Sequence, residues 1–319
     1  MKKILLGIFV CISVSCLAQD PEFTQFYANP LYLNPAFAGS ARCPRLSLNY
    51  RNQWPSIQGT FVTYSASYDQ HIDAIGGGLG LLVLNDQQGQ GTLTTTNISA
   101  IYSYQLTVTR EFSIMMGFQG TYVQNSVDWS KLTFGDQIDP RYGFIYNTRE
   151  IQPSTNKSLV DFSAGILAYS NVIYGGVAVN HITQPDEAFY TRVASPLPMK
   201  ITGHIGAMLP LEDSRDGSYL SPNILYQQQQ DFRQLNIGMY LAKSPLVGGL
   251  WYRTDNRTGD AIIILIGLQQ GVFKFGYSYD VTVSKLASVS GGSHELSMGM
   301  QFTCHPKRKR FRPVKCPTF

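Results

Sequence analysis

The residue types that could do chemistry are all present in this chain, but they are dispersed. Five histidines, His71, His181, His204, His294 and His305, form no HExxH pair and stand beside no carboxylates at metal-ligand spacing, so no metal site is assigned. Ser293-His294-Glu295 holds the residue types of a hydrolase triad side by side. Neighbouring residues of a strand point to opposite faces, however, so they cannot act on one another as a relay. Gly76-Gly77-Gly78-Leu79-Gly80 lacks the Lys-Ser/Thr step and the helix of a phosphate loop. Small residues in a tight sheet wall explain it better. Asp136-Gln137-Ile138-Asp139-Pro140 has the look of a calcium-loop fragment, and turn chemistry accounts for it more simply. No catalytic residue and no cofactor is assigned, and the chain reads as a non-enzyme.

Cysteines and basic residues supply two further candidates. Cys11 and Cys16 lie in a leader, which leaves Cys43, Cys304 and Cys316 for an oxidising compartment. Two pairings are open: Cys43 with Cys304, if the first and last strands close together, or Cys304 with Cys316 around a short basic loop. That loop carries Lys307, Arg308, Lys309, Arg310, Phe311 and Arg312, stiffened by prolines, and is a candidate partner contact. The formal net charge of +4 is concentrated in this tail and in Lys2 and Lys3, leaving a mildly acidic body. A secreted chain of this kind is not expected to bind nucleic acid. An acidic protein surface or anionic lipid suits the tail better.

The elements that must hold these residues are strands. Lys2 and Lys3, the apolar run Ile4 to Val14 and the small Ala18 form a secretory signal, with cleavage expected between Ala18 and Gln19. Beyond it no apolar run approaches the roughly 20 residues of a membrane helix. Charged residues are only 14% of the chain and aromatics 12%, against about 25% charged in soluble domains. From Arg45 the dominant period is two: Val62, Tyr64, Ala66 and Tyr68 alternate with Thr63, Ser65 and Ser67. Phe273, Phe275, Tyr277 and Tyr279 likewise alternate with Lys274, Gly276 and Ser278.

Counting such segments predicts an all-β fold, a transmembrane antiparallel β-barrel of about 14 strands. The longest connections, 125–158 and 182–198, follow odd-numbered strands, whereas turns after even-numbered strands are mostly short. That is the asymmetry of extracellular loops and periplasmic turns. A soluble β-sandwich shares the period, but strand lengths and aromatics near strand ends favour the membrane. The expected organisation is a signal peptide (1–18), a periplasmic N-terminal strap (19–44), the barrel (45–303) and a basic periplasmic tail (304–319). The two Asn-Pro steps of the strap predict extended, turn-punctuated chain. Ala261 to Ile266, apolar on both faces, predicts a lumen partly filled by protein.

Several of these strings, taken in order, resemble the PorP/SprF family of outer-membrane proteins of the type IX secretion system. The resemblance rests on Asn29-Pro30, Asn34-Pro35-Ala36 and Gly39 in the strap, and on Arg51, Gln53 and Trp54 after the first strand. Gly77-Gly78-Leu79-Gly80, Ser293-His294-Glu295-Leu296-Ser297 and Cys316-Pro317 follow in the same order. The resemblance implies an outer-membrane protein of a Bacteroidetes-type cell, working with the secretion and gliding machinery. It implies two kinds of partner: a surface protein with a type IX C-terminal signal domain, and periplasmic parts of the machine. Arg141, Tyr142, Phe144, Tyr146 and Arg149 in the long loop are then candidates for the surface partner, having the aromatic and Arg character of docking anchors. The rival reading is a porin or transporter for small substrates, hydrophobic ones included. Its weakness is an inward face rich in small and uncharged polar residues rather than facing rows of charge.

Overall fold

The computed structural model describes residues 20–57, 59–109, 111–190, 194–211, 218–255, 259–283 and 290–303. Fourteen long strands form the wall: β1 (Arg45–Gln53), β2 (Phe61–Ile72), β3 (Gly77–Gln88), β4 (Leu93–Thr107), β5 (Ser113–Val127), β6 (Asn156–Tyr169) and β7 (Ile173–Asn180). The second half comprises β8 (Lys200–Ala207), β9 (Tyr219–Gln229), β10 (Phe232–Lys243), β11 (Leu246–Asp255), β12 (Gly259–Gln270), β13 (Phe273–Thr282) and β14 (Ser293–Gln301). Each strand pairs antiparallel with the next. The cylinder closes where β1 meets β14, in a register running from Arg45 opposite Gln301 to Gln53 opposite Ser293. The expected barrel and its strand number are therefore found.

Alternation decides which way each side chain points. On β2, Thr63, Ser65 and Ser67 are buried inside while Tyr64 and Tyr68 face out. Along β12, Ala261, Ile263 and Leu265 are buried, whereas Ile262, Ile264 and Ile266 are exposed. The outer surface thus carries Leu79, Leu81, Ile98, Phe118, Val160, Ile224, Ile237 and Leu250 in an apolar band around the wall. A soluble protein rarely exposes so wide an apolar area, and lipid is its natural contact.

Connections differ between the two mouths. One mouth has the loops 128–155 and 181–199; the other has short turns such as 170–172, 244–245 and 271–272, together with both ends of the barrel, Arg45 and Gln301. The long loop contains an unpredicted hairpin, Ile138–Asp139 paired with Gly143–Phe144. β8 ends at Ala207, and Leu209–Pro210 forms a separate short pairing with β9.

Candidate functional site

The barrel interior is filled by the chain's own N-terminal segment. The strap expected on the periplasmic side lies instead inside the lumen, with Phe26, Tyr27, Leu31, Leu33, Ala36, Phe37 and Ala38 all buried. It is not extended either. Pro30 opens a short helix, Pro30–Leu33, and Pro35 opens a 3-10 turn, Pro35–Phe37. Proline disfavours helix in the residue before it, and Asn34 is indeed extended, but its fixed φ suits the first helical position. Asn34 caps the second turn, its side-chain oxygen accepting from Ala36 N at 2.9 Å.

This plug runs the length of the lumen. Asp20 sits at the long-loop mouth, 2.8 Å from His181 and 3.6 Å from Lys200 at the start of β8. Half-way down, Asn29 donates to Ser65 and Asn34 donates to the carbonyls of Ile166 and Val177. At the short-turn mouth, Gly39 N donates to Asp69 at 2.8 Å, and Arg42 donates to Gln105 at 2.7 Å. Aromatic side chains fill the space between. Phe26 meets Trp251 edge-on at 5.0 Å, and Tyr27 packs against Tyr174 and Tyr240. The apolar inner face of β12 is explained by this core, to which Ile263 and Leu265 belong.

The strings that resembled a family meet here in space. Arg51 of β1 bonds Glu295 of β14 at 3.3 Å and Asp280 of β13 at 3.0 Å. Glu295 also accepts from Thr24 N at 2.6 Å and Gln25 N at 3.1 Å, while Ser297 bonds the Gln25 side chain. Arg253 joins the same cluster through Asp280 at 3.1 Å. The glycines serve the plug as well as the wall. A Cβ on Gly117 would lie 2.3 Å from Ala36 N, and one on Gly78 would lie 2.3 Å from the Ala38 carbonyl oxygen. Only glycine lets the plug backbone come this close. Trp54 follows at the end of β1, donating from its backbone to Gly292 at 3.0 Å.

At the long-loop mouth the two long loops pack on each other. Trp129 meets Phe189 and Tyr190 edge-on, each at 6.3 Å. His181 lies between two carboxylates, Asp20 and Asp161, both at 2.8 Å. Burial works against its charged form, but Asp20, with hydrogen bonds to Asp161 and Asp20, outweighs this and raises its pKa to about 10. The Asp20 carboxyl, although buried, is held well below the usual range by His181 and Lys200.

Beyond these contacts the loop presents an exposed face. Tyr142, Phe144 and Tyr146 are exposed, with Arg141 and Arg149 beside them. The face is ordered by carboxylates: Asp139 accepts from Arg141 N, Tyr142 N and the Tyr146 hydroxyl, and Asp136 accepts from Arg149 N. Asp136 and Asp139 are thus engaged as turn acceptors. Ser293 and Glu295 face inward while His294 is outside the wall against Tyr277, so no triad forms there. Cys43 is disulfide-bonded; Cys304, Cys316 and the tail residues Lys307, Arg308, Lys309, Arg310, Phe311 and Arg312 lie outside the described residues, as does the signal segment.

Known proteins place this architecture. The sequence profile of the family described as "Type IX secretion system membrane protein PorP/SprF" matches residues 15–300. The chain belongs to the PorP/SprF family. The sequence matches no curated protein. Among solved structures, the Ralstonia pickettii toluene transporter TbuX is similar at a TM-score of 0.51 and 9% identity, covering 86% of this chain and 93% of that one. The CymD monoaromatic hydrocarbon channel is similar at a TM-score of 0.47 and 11% identity, covering 87% and 94%. At 9% identity the likeness to TbuX is one of fold. A PorP/SprF protein is a type IX secretion component of the outer membrane.

The N-terminal motif, legible in the sequence as a family mark, is thus the plug. Sequence reasoning missed His181 and Glu295 as its clamps, since the plug residues they hold, Asp20 and Thr24, lie 161 and 271 positions away.

Proposed function

We propose that this PorP/SprF protein binds a large surface protein carrying a type IX C-terminal signal domain and helps secrete it or hold it at the cell surface. It does so from the outer membrane, reached after signal cleavage near Ala18-Gln19, as part of the secretion and gliding machinery. The observation that carries this reading is the pairing of a filled lumen with an ordered aromatic loop at one mouth. A closed, plugged barrel is a durable anchor in lipid, since every strand edge is paired. Tyr142, Phe144 and Tyr146, exposed on the 128–155 loop with Arg141 and Arg149, have the character of docking anchors. The long-loop mouth then faces outward. The basic tail, Lys307 to Arg312, is assigned to the periplasmic parts of the machine.

The experiment is a tagged pull-down from gently solubilised outer membranes, with mass spectrometry of the eluate. The intact protein should recover a surface protein with a type IX signal domain, and a Y142A/F144A/Y146A variant that still inserts should recover far less. Equal recovery by the variant would sink the loop assignment. The channel reading is disfavoured by the plug, which crosses the lumen from Asp20 to Arg42. Its test is conductance in a planar bilayer, where the intact protein should stay closed.

A further inference from the structure

A cavity of about 270 Å³ lies between the plug and the inner faces of β3 to β9, beneath the 181–199 loop at the long-loop mouth. Six ionisable side chains line it: Asp20, Asp86, Asp161, Glu187, His181 and Lys200. The two cations are already engaged, His181 with both Asp20 and Asp161, and Lys200 with Asp20. Asp86 and Glu187 have no salt-bridge partner among the described residues. Their hydrogen bonds come from neutral groups: Asp86 accepts from Thr63 and Gln88, Glu187 from the Asn125 amide.

A second observation is independent of this charge. The side-chain oxygens of Asn97, Asn125 and Gln227 are buried without a hydrogen-bond partner, and all three residues line the cavity. Asn125 is 4% exposed and Gln227 8%. Asn125 gives its N–H to Glu187, so its oxygen must be the atom left unpaired. Buried acceptors in this number are rarely left unmatched. What the cavity lacks is a donor with positive charge.

The shape of that donor follows from spacing. Among the described residues no three His, Cys, Asp or Glu side chains converge closely enough to hold a metal ion. Asp86 on β3 stands opposite Thr95 on β4, and Thr95 opposite Asn125 on β5, with Asn97 two residues along from Thr95 and Glu187 bonded to Asn125. These four acceptors share one wall, which suits a ligand with several N–H groups held in a plane. Phe189 adds an aromatic ring to the lining, a surface on which a guanidinium stacks, while the Tyr32 ring is already covered by Lys200 at 5.4 Å. We propose that the mouth cavity is a binding site for a guanidinium group on the wall formed by β3 to β5, with Asp86 and Glu187 supplying charge and Asn97 and Asn125 supplying acceptors. A free small cation and an arginine side chain of a docking polypeptide share this chemistry. The site rests on the cavity alone, and its failure leaves the surface-partner reading untouched.

The test is calorimetric titration of the intact, detergent-solubilised protein with argininamide and with its uncharged isostere, citrullinamide. Argininamide should bind at least tenfold more tightly. D86N and E187Q should each weaken it about fivefold or more while the barrel keeps its heat-modifiable gel mobility. A short peptide with one central arginine that binds more tightly than argininamide assigns the group to a polypeptide; equal affinity assigns it to a free cation. Equal binding of argininamide and citrullinamide, no heat with argininamide, or unchanged affinity in both folded variants would overturn the proposal.

Discussion

Arg51 on the first strand and Glu295 on the last meet at 3.3 Å inside the barrel, and Glu295 holds the plug backbone at Thr24 and Gln25. One carboxylate therefore ties together the seam of the wall and the segment it encloses. Both partners are almost fully buried. A buried pair is worth little against an apolar substitute, but removing one partner strands the other, at a cost of about 3–5 kcal/mol.

Arg51→Ala should accordingly lower stability by about 3–5 kcal/mol, since among the described residues it leaves Glu295 without a cation and Asp280 with Arg253 alone. Glu295→Gln should cost less, because an amide still accepts from Thr24 N and keeps the pocket's shape. The check is the denaturant midpoint of the folded band on unheated gels, where R51A should unfold well before E295Q. The reverse order would show that the plug contact matters more than the charge.

Gly117→Val should displace the plug. Its side chain would occupy the space of the Ala36 backbone, where even a Cβ comes within 2.3 Å. The strand itself tolerates valine readily. The barrel should therefore form, with residues 20–42 open to protease and with measurable ion conductance. A G117V protein that stays closed and protected would refute the glycine's role as a plug seat.

Seating of the plug's outer end should depend on pH in a set direction. His181 is raised from 6.5 to about 10, so its contribution is full below about 6.5 and declines to nothing as pH passes about 10. Asp20 is depressed from 3.8, so its contribution is present above that value and is lost as pH falls below it. Protease protection of the segment around Asp20 should then be greatest between about pH 4 and 6.5 and fall towards pH 10. His181→Gln should flatten the alkaline limb and weaken the acid limb, since it leaves Lys200 as the one cation opposite Asp20 among the described residues.

Peptide mapping without reduction should find Cys43 joined to Cys304. Phe302 N donates to the Pro44 carbonyl at 3.0 Å, which brings the end of β14 alongside Cys43. Recovery of Cys43 joined to Cys316 would contradict this.

Reading the wall from sequence works because a strand's two faces are local: Thr63, Ser65 and Ser67 announce themselves beside Tyr64 and Tyr68. Loop asymmetry is local in the same sense. The plug is not. Residues 20–42 carry no sustained period, and their partners are scattered through the chain, 30 positions away for Gly39 and Asp69 and 271 for Thr24 and Glu295. Asn-Pro steps specify a turn, not where it is housed. Gly78 shows the same limit: its need for smallness is legible, but the Ala38 carbonyl that requires it is not. Ala261 to Ile266 came nearest, because an apolar inner face implies something apolar to cover it.

The plug crosses the lumen before the first strand begins, and the last strand supplies its clamp. This arrangement sets an order for biogenesis. Residues 20–42 can be wrapped rather than threaded if β1 and β14 zip together last. Glu295 then acts as a latch that completes only when the final hairpin arrives. A chain truncated before β14 would have neither seam nor latch, and would be presented to the cell's quality control as an unfinished, open sheet.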